Sequence, residues 1–377
     1  MRVLVAAESF VPEINGVTNS VLRVLEHLDR RGHEAVVVAA APGPGEVAGV
    51  PVIRVPGLTV PTYRTLTVGC AGRGRIGHLL RHYRPDVVHL AAPVVLGATV
   101  GAAARRAGVP TVAVFQTDLA RFAGDYGLGV AARPVWRWIR RVHALADLTL
   151  APSSASAFDL RRHGIGPIAQ WGRGVDAELF RPDRRSENVR RSLAPRGEVL
   201  VGYVGRLASE KRVDQLAELA GLRGTRVVVV GDGPDRTRLE RLLPSARFLG
   251  FRAGVALAET MASLDVFVHT GPHETFCQTV QEAMASGVPV VAPARGGPMD
   301  LVQHARTGYL FPPDQPALLR PTVETLVDDP GLRREMGSAG RAAVARRTWG
   351  SVGDQLLGHY EQAIGRTPRR RHHHLAA

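Results

Sequence analysis

The strongest constraint on the fold is an alternation that runs along most of the 377 residues: a short apolar run, then a stretch with helical spacing. Arg2–Ala7 reads RVLVAA, apolar after Arg2, which fits a strand covered on both faces. Behind it Val17, Val21, Val24, Leu25 and Leu28 recur at helical spacing until Gly32. Further strands are predicted at Ala35–Ala40, Val52–Val55, Val87–Leu90, Thr111–Phe115, Leu148–Ala151 and Ile168–Trp171, with helices near Ile76–Tyr83, Leu96–Ala107 and Ser153–Arg162. A chain that alternates in this way predicts an α/β fold with a mostly parallel sheet.

Residues 181–198 break the pattern: they are polar and charged and hold Pro182 and Pro195, as linkers do. The alternation then restarts with a strand at Leu200–Val204, a helix near Val213–Ala220, a strand at Arg226–Val230 and a helix near Asp235–Leu243. Two doubly wound, Rossmann-like domains are expected, 1–185 and 198–348, facing each other across a cleft. A helix over 349–365 is expected to cross back to the first domain. The tail 366–377, with Arg369-Arg370-Arg371 and His372-His373-His374, has no apolar pattern; it reads as disordered and as no metal site.

Composition narrows the partners. The net charge of +14, from 48 basic and 34 acidic residues, favours phosphorylated substrates, an acidic membrane surface or nucleic acid. Nucleic acid is set aside, because no recognised module accompanies the charge. No apolar run reaches the ~18 residues of a membrane span, and Met1-Arg2-Val3 leads straight into a strand, so a cytoplasmic protein is expected. Cys70 and Cys277 are too few for a disulfide framework and read as small buried residues. Arg133–Ala146 mixes Trp136 and Trp138 with Arg133, Arg137, Arg140 and Arg141. Val135, Trp138, Ile139, Val142, Leu145 and Ala146 form a core-facing stripe there, which favours packing with a solvated basic face. The alternative is peripheral contact with an anionic membrane at its inner face.

The chemistry concentrates in Val266–Pro293. A strand at Val266–His269 leads through a Gly-Pro turn to Glu274 and a helical stretch, with a second strand at Val288–Val291 after Gly287. If Glu274 starts that helix, Glu282 falls two turns later on nearly the same face. A helix start attracts phosphate, and ionised carboxylates accept from hydroxyls; together they suit a nucleotide-sugar. Gly16 stands between the first strand and the first helix. Gly205, Arg206 and Lys211 hold the same topological position in the second half, and Lys211 is the only lysine of the chain. Two cations there can neutralise a diphosphate and stabilise it as a leaving group. Gln116, Thr117 and Asp118 follow the strand at Thr111–Phe115, where doubly wound sheets place ligands.

Other chemistries are excluded by spacing. In Val230-Gly231-Asp232-Gly233-Pro234 the third glycine of a dinucleotide fingerprint would fall at Arg236, and no ribose-binding acid follows. No P-loop is present, and neither is the DxD spacing by which many sugar transferases hold a metal; no metal and no cofactor are inferred.

With these residues in place the chain resembles glycosyltransferase family 4, retaining enzymes of the two-domain GT-B fold. The E-x7-E element is Glu274 to Glu282 and the Gly-Arg-x4-Lys element is Gly205 to Lys211. Glu274-Thr275-Phe276-Cys277-Gln278-Thr279-Val280-Gln281-Glu282 and Phe115-Gln116-Thr117-Asp118 look like the bacterial GDP-mannose-dependent α-mannosyltransferases. The resemblance implies a metal-independent transferase that moves a sugar, mannose from GDP-mannose, to a hydroxyl of a lipid, glycan or small metabolite. It implies donor contacts from Gly16, Gly205, Arg206, Lys211, Thr275, Phe276, Cys277 and Gln278, with Glu274 on the sugar, Glu282 on the ribose and Phe251 near the base. Arg206, Lys211, Glu274, Gln116 and Asp118 would carry the reaction. Many relatives have a histidine where this chain has Gln116, and Gln cannot titrate. A UDP-sugar donor, a nucleotide-sugar epimerase or phosphorylase, and a non-catalytic nucleotide-sugar-binding protein are the competing readings.

Overall fold

The computed structural model describes residues 1–13, 15–60, 63–117 and 132–366. The chain divides into two compact units. The first comprises Met1–Pro152, Ser156–Gly172 and the segment from Trp349 on; the second comprises Ser153–Ala155 and Arg173–Thr348.

In the first unit, strands β1 (Arg2–Ala7), β2 (Glu34–Ala40), β3 (Glu46–Val47), β4 (Val50–Val55), β7 (Val87–Ala91), β8 (Thr111–Val114), β9 (Leu148–Ala151) and β10 (Ile168–Gln170) form one sheet. Its order is β10-β9-β8-β7-β1-β2-β4-β3, parallel except for β3, and a separate antiparallel ribbon joins β5 (Gly57–Val60) to β6 (Tyr63–Gly69). The alternation of side chains along β1 divides the core: Val3, Val5 and Ala7 pack under helices Gly16–Arg30 and Trp349–Arg366, while Leu4 and Ala6 face helices Arg73–Tyr83 and Leu96–Ala107.

The last helix, Trp349–Arg366, is fixed to the first unit by polar contacts as well as by packing. The Tyr360 hydroxyl donates to His89 Nδ1 at 2.8 Å, Trp171 Nε1 donates to the Val352 carbonyl at 3.0 Å, and Asp354 meets His27 Nε2 at 3.0 Å. Gly353 permits the approach, since a Cβ there would lie 2.3 Å from the His27 ring.

In the second unit, β11 (Val199–Val204), β12 (Thr225–Val230), β13 (Arg247–Phe248), β14 (Val266–Val268), β15 (Val290–Pro293) and β16 (Gly308–Phe311) form a parallel sheet of order β13-β12-β11-β14-β15-β16. Strand order reverses between β11 and β14, as it does between β1 and β7 in the first unit. Crevices at the carboxyl ends of such strand pairs are where open α/β sheets bind ligands.

Four local features differ from the sequence reading. Cys70, expected to be buried like Cys277, is exposed. Residues 181–198 are not a loose linker: they form a 3₁₀ turn at Pro182–Arg184 and a helix at Glu187–Leu193 within the second unit. Arg185 and Arg190 each reach Asp265 at 2.9 Å, so the charge of this stretch serves ion pairing. The helix expected near Val213–Ala220 is instead two 3₁₀ turns, Ser209–Lys211 and Val213–Leu219. Arg212 between them has φ 46°, a left-handed conformation that interrupts an α-helical ladder. In helix Ala132–His143, Trp136 rather than Trp138 turns inward, stacking on Phe115 and on His163, and Trp138 stays 40% exposed. No helix among the described residues is long and apolar enough to cross a membrane.

Candidate active site

The second unit builds its site from the loops that follow β11 and β14. After β11 the chain runs through Gly205, Arg206 and Leu207 to Lys211. Gly231-Asp232-Gly233, which superficially suggests a dinucleotide fingerprint, braces this loop from behind. Gly205 N–H donates to the Val230 carbonyl at 3.0 Å, and Leu207 N–H to the Asp232 carbonyl at 2.9 Å. A Cβ on Gly231 would lie 1.9 Å from the Gly205 oxygen and one on Gly233 2.3 Å from the Leu207 oxygen, so glycine is required at both.

After β14, His269 begins the second loop, which carries Glu274. Lys211 Nζ donates to Glu274 Oε1 at 2.5 Å, and His269 Nε2 lies 3.2 Å from the same oxygen. Burial alone would raise the Glu274 carboxyl; the Lys211 ammonium and His269 outweigh it and hold Glu274 ionised, well below the usual carboxylate range. Lys211 is raised in turn, because Glu274 more than offsets the burial that would lower it. His269 is 2% exposed and stacks on the buried ring of Tyr203. Burial would lower its pKa, but Cys277 and Glu274 push it up to about 10. One ligand atom from each of His269, Glu274 and Cys277 lies within 4.8 Å of the others.

Glu274 and Glu282 do not share a helix face. The helix runs only from Gln278 to Ala285, and Cys277 before it has φ 81°, so Glu274 lies in the loop ahead of a left-handed break. No side chain caps this helix start. Glu282 stands half-buried within the helix, where burial pushes its carboxyl up to about 7 against a hydrogen bond from Gln278. Phe276 and Cys277 are buried, and Thr275 precedes them in the loop.

Several residues of this site carried no sequence signal. Gly296 and Gly297 press on the loop from the next strand's end: Gly297 N–H donates to the Glu274 carbonyl at 2.8 Å, and a Cβ on Gly297 would lie 2.1 Å from the Phe276 oxygen. Arg173 sits beside Glu274 and is lowered to about 10 by burial, with Glu274 opposing that shift. Its carbonyl and that of Gly174 accept from Gln281 and Gln278 at 3.0 Å, tying the helix to this segment. Glu210 pairs with Arg206. The cations expected to stand ready for a diphosphate are therefore each held by a carboxylate, Arg206 by Glu210 and Lys211 by Glu274. A half-buried Glu–Lys pair at one end of a short loop is visible only in three dimensions. Phe251 is not drawn into this cluster; it follows β13 and is 74% exposed.

The first unit holds the other expected residues. Gly16 is exposed at the first turn of its helix, whose Val17 and Thr18 amides are taken by the Asn15 side chain at 2.9 and 3.0 Å. Gln116 is buried at the end of β8, in a recess lined by Val94, Phe115, Thr117, Ile139 and His143. His143 is pushed down to about 4 by burial, so it is neutral beside Gln116. Asp118 lies outside the described residues.

Two doubly wound parallel-sheet units, each with a strand-order reversal at its centre, are the architecture of the GT-B fold. Residues 14–179 match the family model described as Glycosyltransferase Family 4, and residues 184–343 the one described as Glycosyl transferases group 1. The chain is 51% identical over 97% of its length, and 98% of the relative's, to a GDP-mannose-dependent alpha-mannosyltransferase of Mycolicibacterium smegmatis. It is 45% identical to a protein of the same name from Corynebacterium glutamicum, covering 98% of this chain and 91% of the relative. Among solved structures it is similar in fold to a sucrose-phosphate synthase from Thermosynechococcus elongatus, with TM-score 0.79, 19% identity and coverage of 97% and 99% of the two chains. The chain belongs to glycosyltransferase family 4 and is a glycosyltransferase.

Proposed function

We propose that this enzyme transfers mannose from GDP-mannose to an acceptor hydroxyl with retention of configuration and without a metal ion. The Lys211–Glu274 pair beside the uncapped helix start at Gln278 carries the reading. The names of the relatives, which cover nearly the whole chain, support the donor. On donor binding the diphosphate draws Lys211 and Arg206 to itself, with the amides of Phe276, Cys277 and Gln278 completing the anion site. Glu274, released from Lys211, accepts from sugar hydroxyls, and Glu282 accepts from the ribose. The bond from the anomeric carbon to the diphosphate breaks as a bond to the acceptor oxygen forms on the same face. The acceptor's proton ends on the departing diphosphate. Gln116 contributes hydrogen bonds only, with Asp118 as its neighbour in sequence. The lysine already stands where a divalent cation would neutralise the phosphates, which supports metal-free chemistry.

A thermal-shift and transfer screen with GDP-mannose and UDP-sugars tests this. GDP-mannose is expected to raise the apparent melting temperature most, and to label a hydroxyl acceptor in the presence of EDTA. Preference for a UDP-sugar, or loss of transfer in EDTA with recovery on Mg²⁺, overturns the donor or the metal-free reading respectively.

The acceptor remains a lipid, glycan or small metabolite hydroxyl. Peripheral contact with an anionic membrane is supported by Arg133, Arg137, Arg140 and Arg141, all exposed on the helix that presents Trp138. Co-sedimentation with anionic but not neutral vesicles, weakened by Trp138→Ala, is the expected result.

A further inference from the structure

We infer that His269, Glu274 and Cys277 form a zinc-class metal site, and that its occupation switches the donor side off by taking Glu274 from Lys211. The site stands on its own geometry; only the consequence for turnover rests on the function proposed above.

Among the described residues this is the group of histidine, cysteine and acidic side chains close enough to share an ion, with ligand atoms within 4.8 Å of one another. Tetrahedral zinc, with bonds of about 2.0–2.3 Å, sets its ligand atoms roughly 3.5 Å apart, so each side chain has to close in by about an ångström or less. One nitrogen, one oxygen and one sulfur donor are what a borderline-soft ion selects, and are unsuited to Mg²⁺ or Mn²⁺. His269 is 2% exposed and Cys277 4% exposed, while the Glu274 side chain keeps 17% exposure, leaving an approach for the ion and a fourth position for water.

The backbone gives independent support for a use of the thiol. Cys277 is a non-glycine residue at φ 81°, immediately before the helix, where glycine would serve the turn at lower cost. Its side chain is turned to His269 and Glu274. A thiol at a conformationally expensive position, aimed at an imidazole and a carboxylate, is a ligand set rather than a space filler.

Coordination sets up a competition. Lys211 Nζ lies 2.5 Å from Glu274 Oε1, so a dication taking Glu274 repels the ammonium and contends with it for the carboxylate. As Lys211 gives way, the donor loses both its phosphate cation and its sugar carboxylate. Coordination needs a neutral imidazole and a thiolate, so binding releases protons to solvent. Zinc would thus act on this enzyme as an inhibitor, the reverse of a metal-dependent transferase.

Titration of the full chain with Co²⁺, followed by absorption, tests the site without any assay of turnover. A thiolate-to-cobalt charge-transfer band is expected, absent in Cys277→Ser and His269→Asn and kept in Cys70→Ser. Lys211→Ala should bind Co²⁺ roughly tenfold more tightly, because a competing cation has been removed; a misfolded variant would not gain affinity. Binding without a thiolate band, as the His372-His373-His374 tail alone would give, overturns the site. So does a band that survives Cys277→Ser, or unchanged affinity in Lys211→Ala. Transfer from GDP-mannose should fall as Zn²⁺ fills the site and return with EDTA; full turnover at saturating Zn²⁺ overturns the switch. If the cobalt site forms but no zinc-free condition gives transfer, the proposed function fails and the metal site stands.

Discussion

The two units present the same crevice in opposite states. In the first, the switch point between β1 and β7 is filled by the protein itself. Glu8, at the tip of β1, is 4% exposed and accepts from the amides of Gly69 at 3.2 Å and of Val94 and Gly97 at 3.0 Å, closing the start of helix Leu96–Ala107. Burial raises its pKa and these amides oppose that shift. The next helix start, at Gly16, is capped by Asn15. In the second unit the corresponding crevice between β11 and β14 has a helix start without a side-chain cap and two cations, Lys211 and Arg206, held by carboxylates. A fold repeated twice thus leaves a helix start without a side-chain cap in one copy and satisfies it internally in the other. The topological position alone does not make a phosphate site; the absence of an internal carboxylate or amide acceptor does.

The largest expected effect is at the open crevice. Lys211→Ala should lower kcat at saturating donor by about a hundredfold or more, the ~2.7–4 kcal/mol of a charge contact made in the transition state, with the fold intact by circular dichroism. Unchanged turnover would remove Lys211 from the reaction and erase the contrast between the crevices.

Acid should separate the units next. His89 and His143, both in the first unit, are pushed down to about 4 by burial. An unfolded histidine takes its proton near pH 6.5, so the stability these two contribute is complete above that value and is lost as pH falls toward 4, on the order of 3 kcal/mol each. His269 in the second unit, raised to about 10, has the opposite sign: its contribution is complete below about pH 6.5 and is lost as pH rises through 10. Hydrogen exchange compared at about pH 7.5 and pH 5 should show protection falling mainly in the first unit. An equal fall in both would break the comparison.

Glu8→Ala should destabilise the first unit by roughly 1–3 kcal/mol, since buried amides lose their acceptor, while leaving the donor affinity of the second unit within twofold or so. A large loss of donor affinity in a folded Glu8→Ala protein would show that the closed crevice is functional after all. The smallest effect concerns Glu282, whose carboxyl is pushed up to about 7 by burial. A carboxylate that accepts from ribose hydroxyls must be ionised, so donor affinity should weaken by up to about tenfold per pH unit below 7, and Glu282→Gln should flatten that slope. Isothermal titration of GDP-mannose across this range reads it.

Much of the site was legible because its residues act through type and position in the alternation. Gly205, Arg206 and Lys211 follow a strand whose apolar run is unambiguous, and a lone lysine in an arginine-rich chain marks itself. The sequence places Trp138 in the core-facing stripe of its helix, but the two tryptophans, two residues apart, both border that stripe, and stacking on Phe115 and His163 selects Trp136 instead. Glu274 and Glu282 misled in another way. Their spacing fits two helical turns, but the left-handed Cys277 cuts the helix between them, and no side-chain pattern reports a φ of 81° at a non-glycine residue.

The sequence by itself determined that this chain forms parallel α/β units and to which family it belongs, and it singled out the Gly205–Lys211 and Val266–Pro293 segments as the place to look for the donor chemistry proposed above. Periodicity, strand ends and residue chemistry are local properties, and local order carries them. Only the tertiary structure decided which crevice is open, that Lys211 rests on Glu274, that Gly297 and Gly233 leave room for the loops bearing them, and that Cys277 meets His269. Each of these depends on distances between segments tens of residues apart, set by sheet order and by close backbone approach, which no run of neighbouring residues encodes.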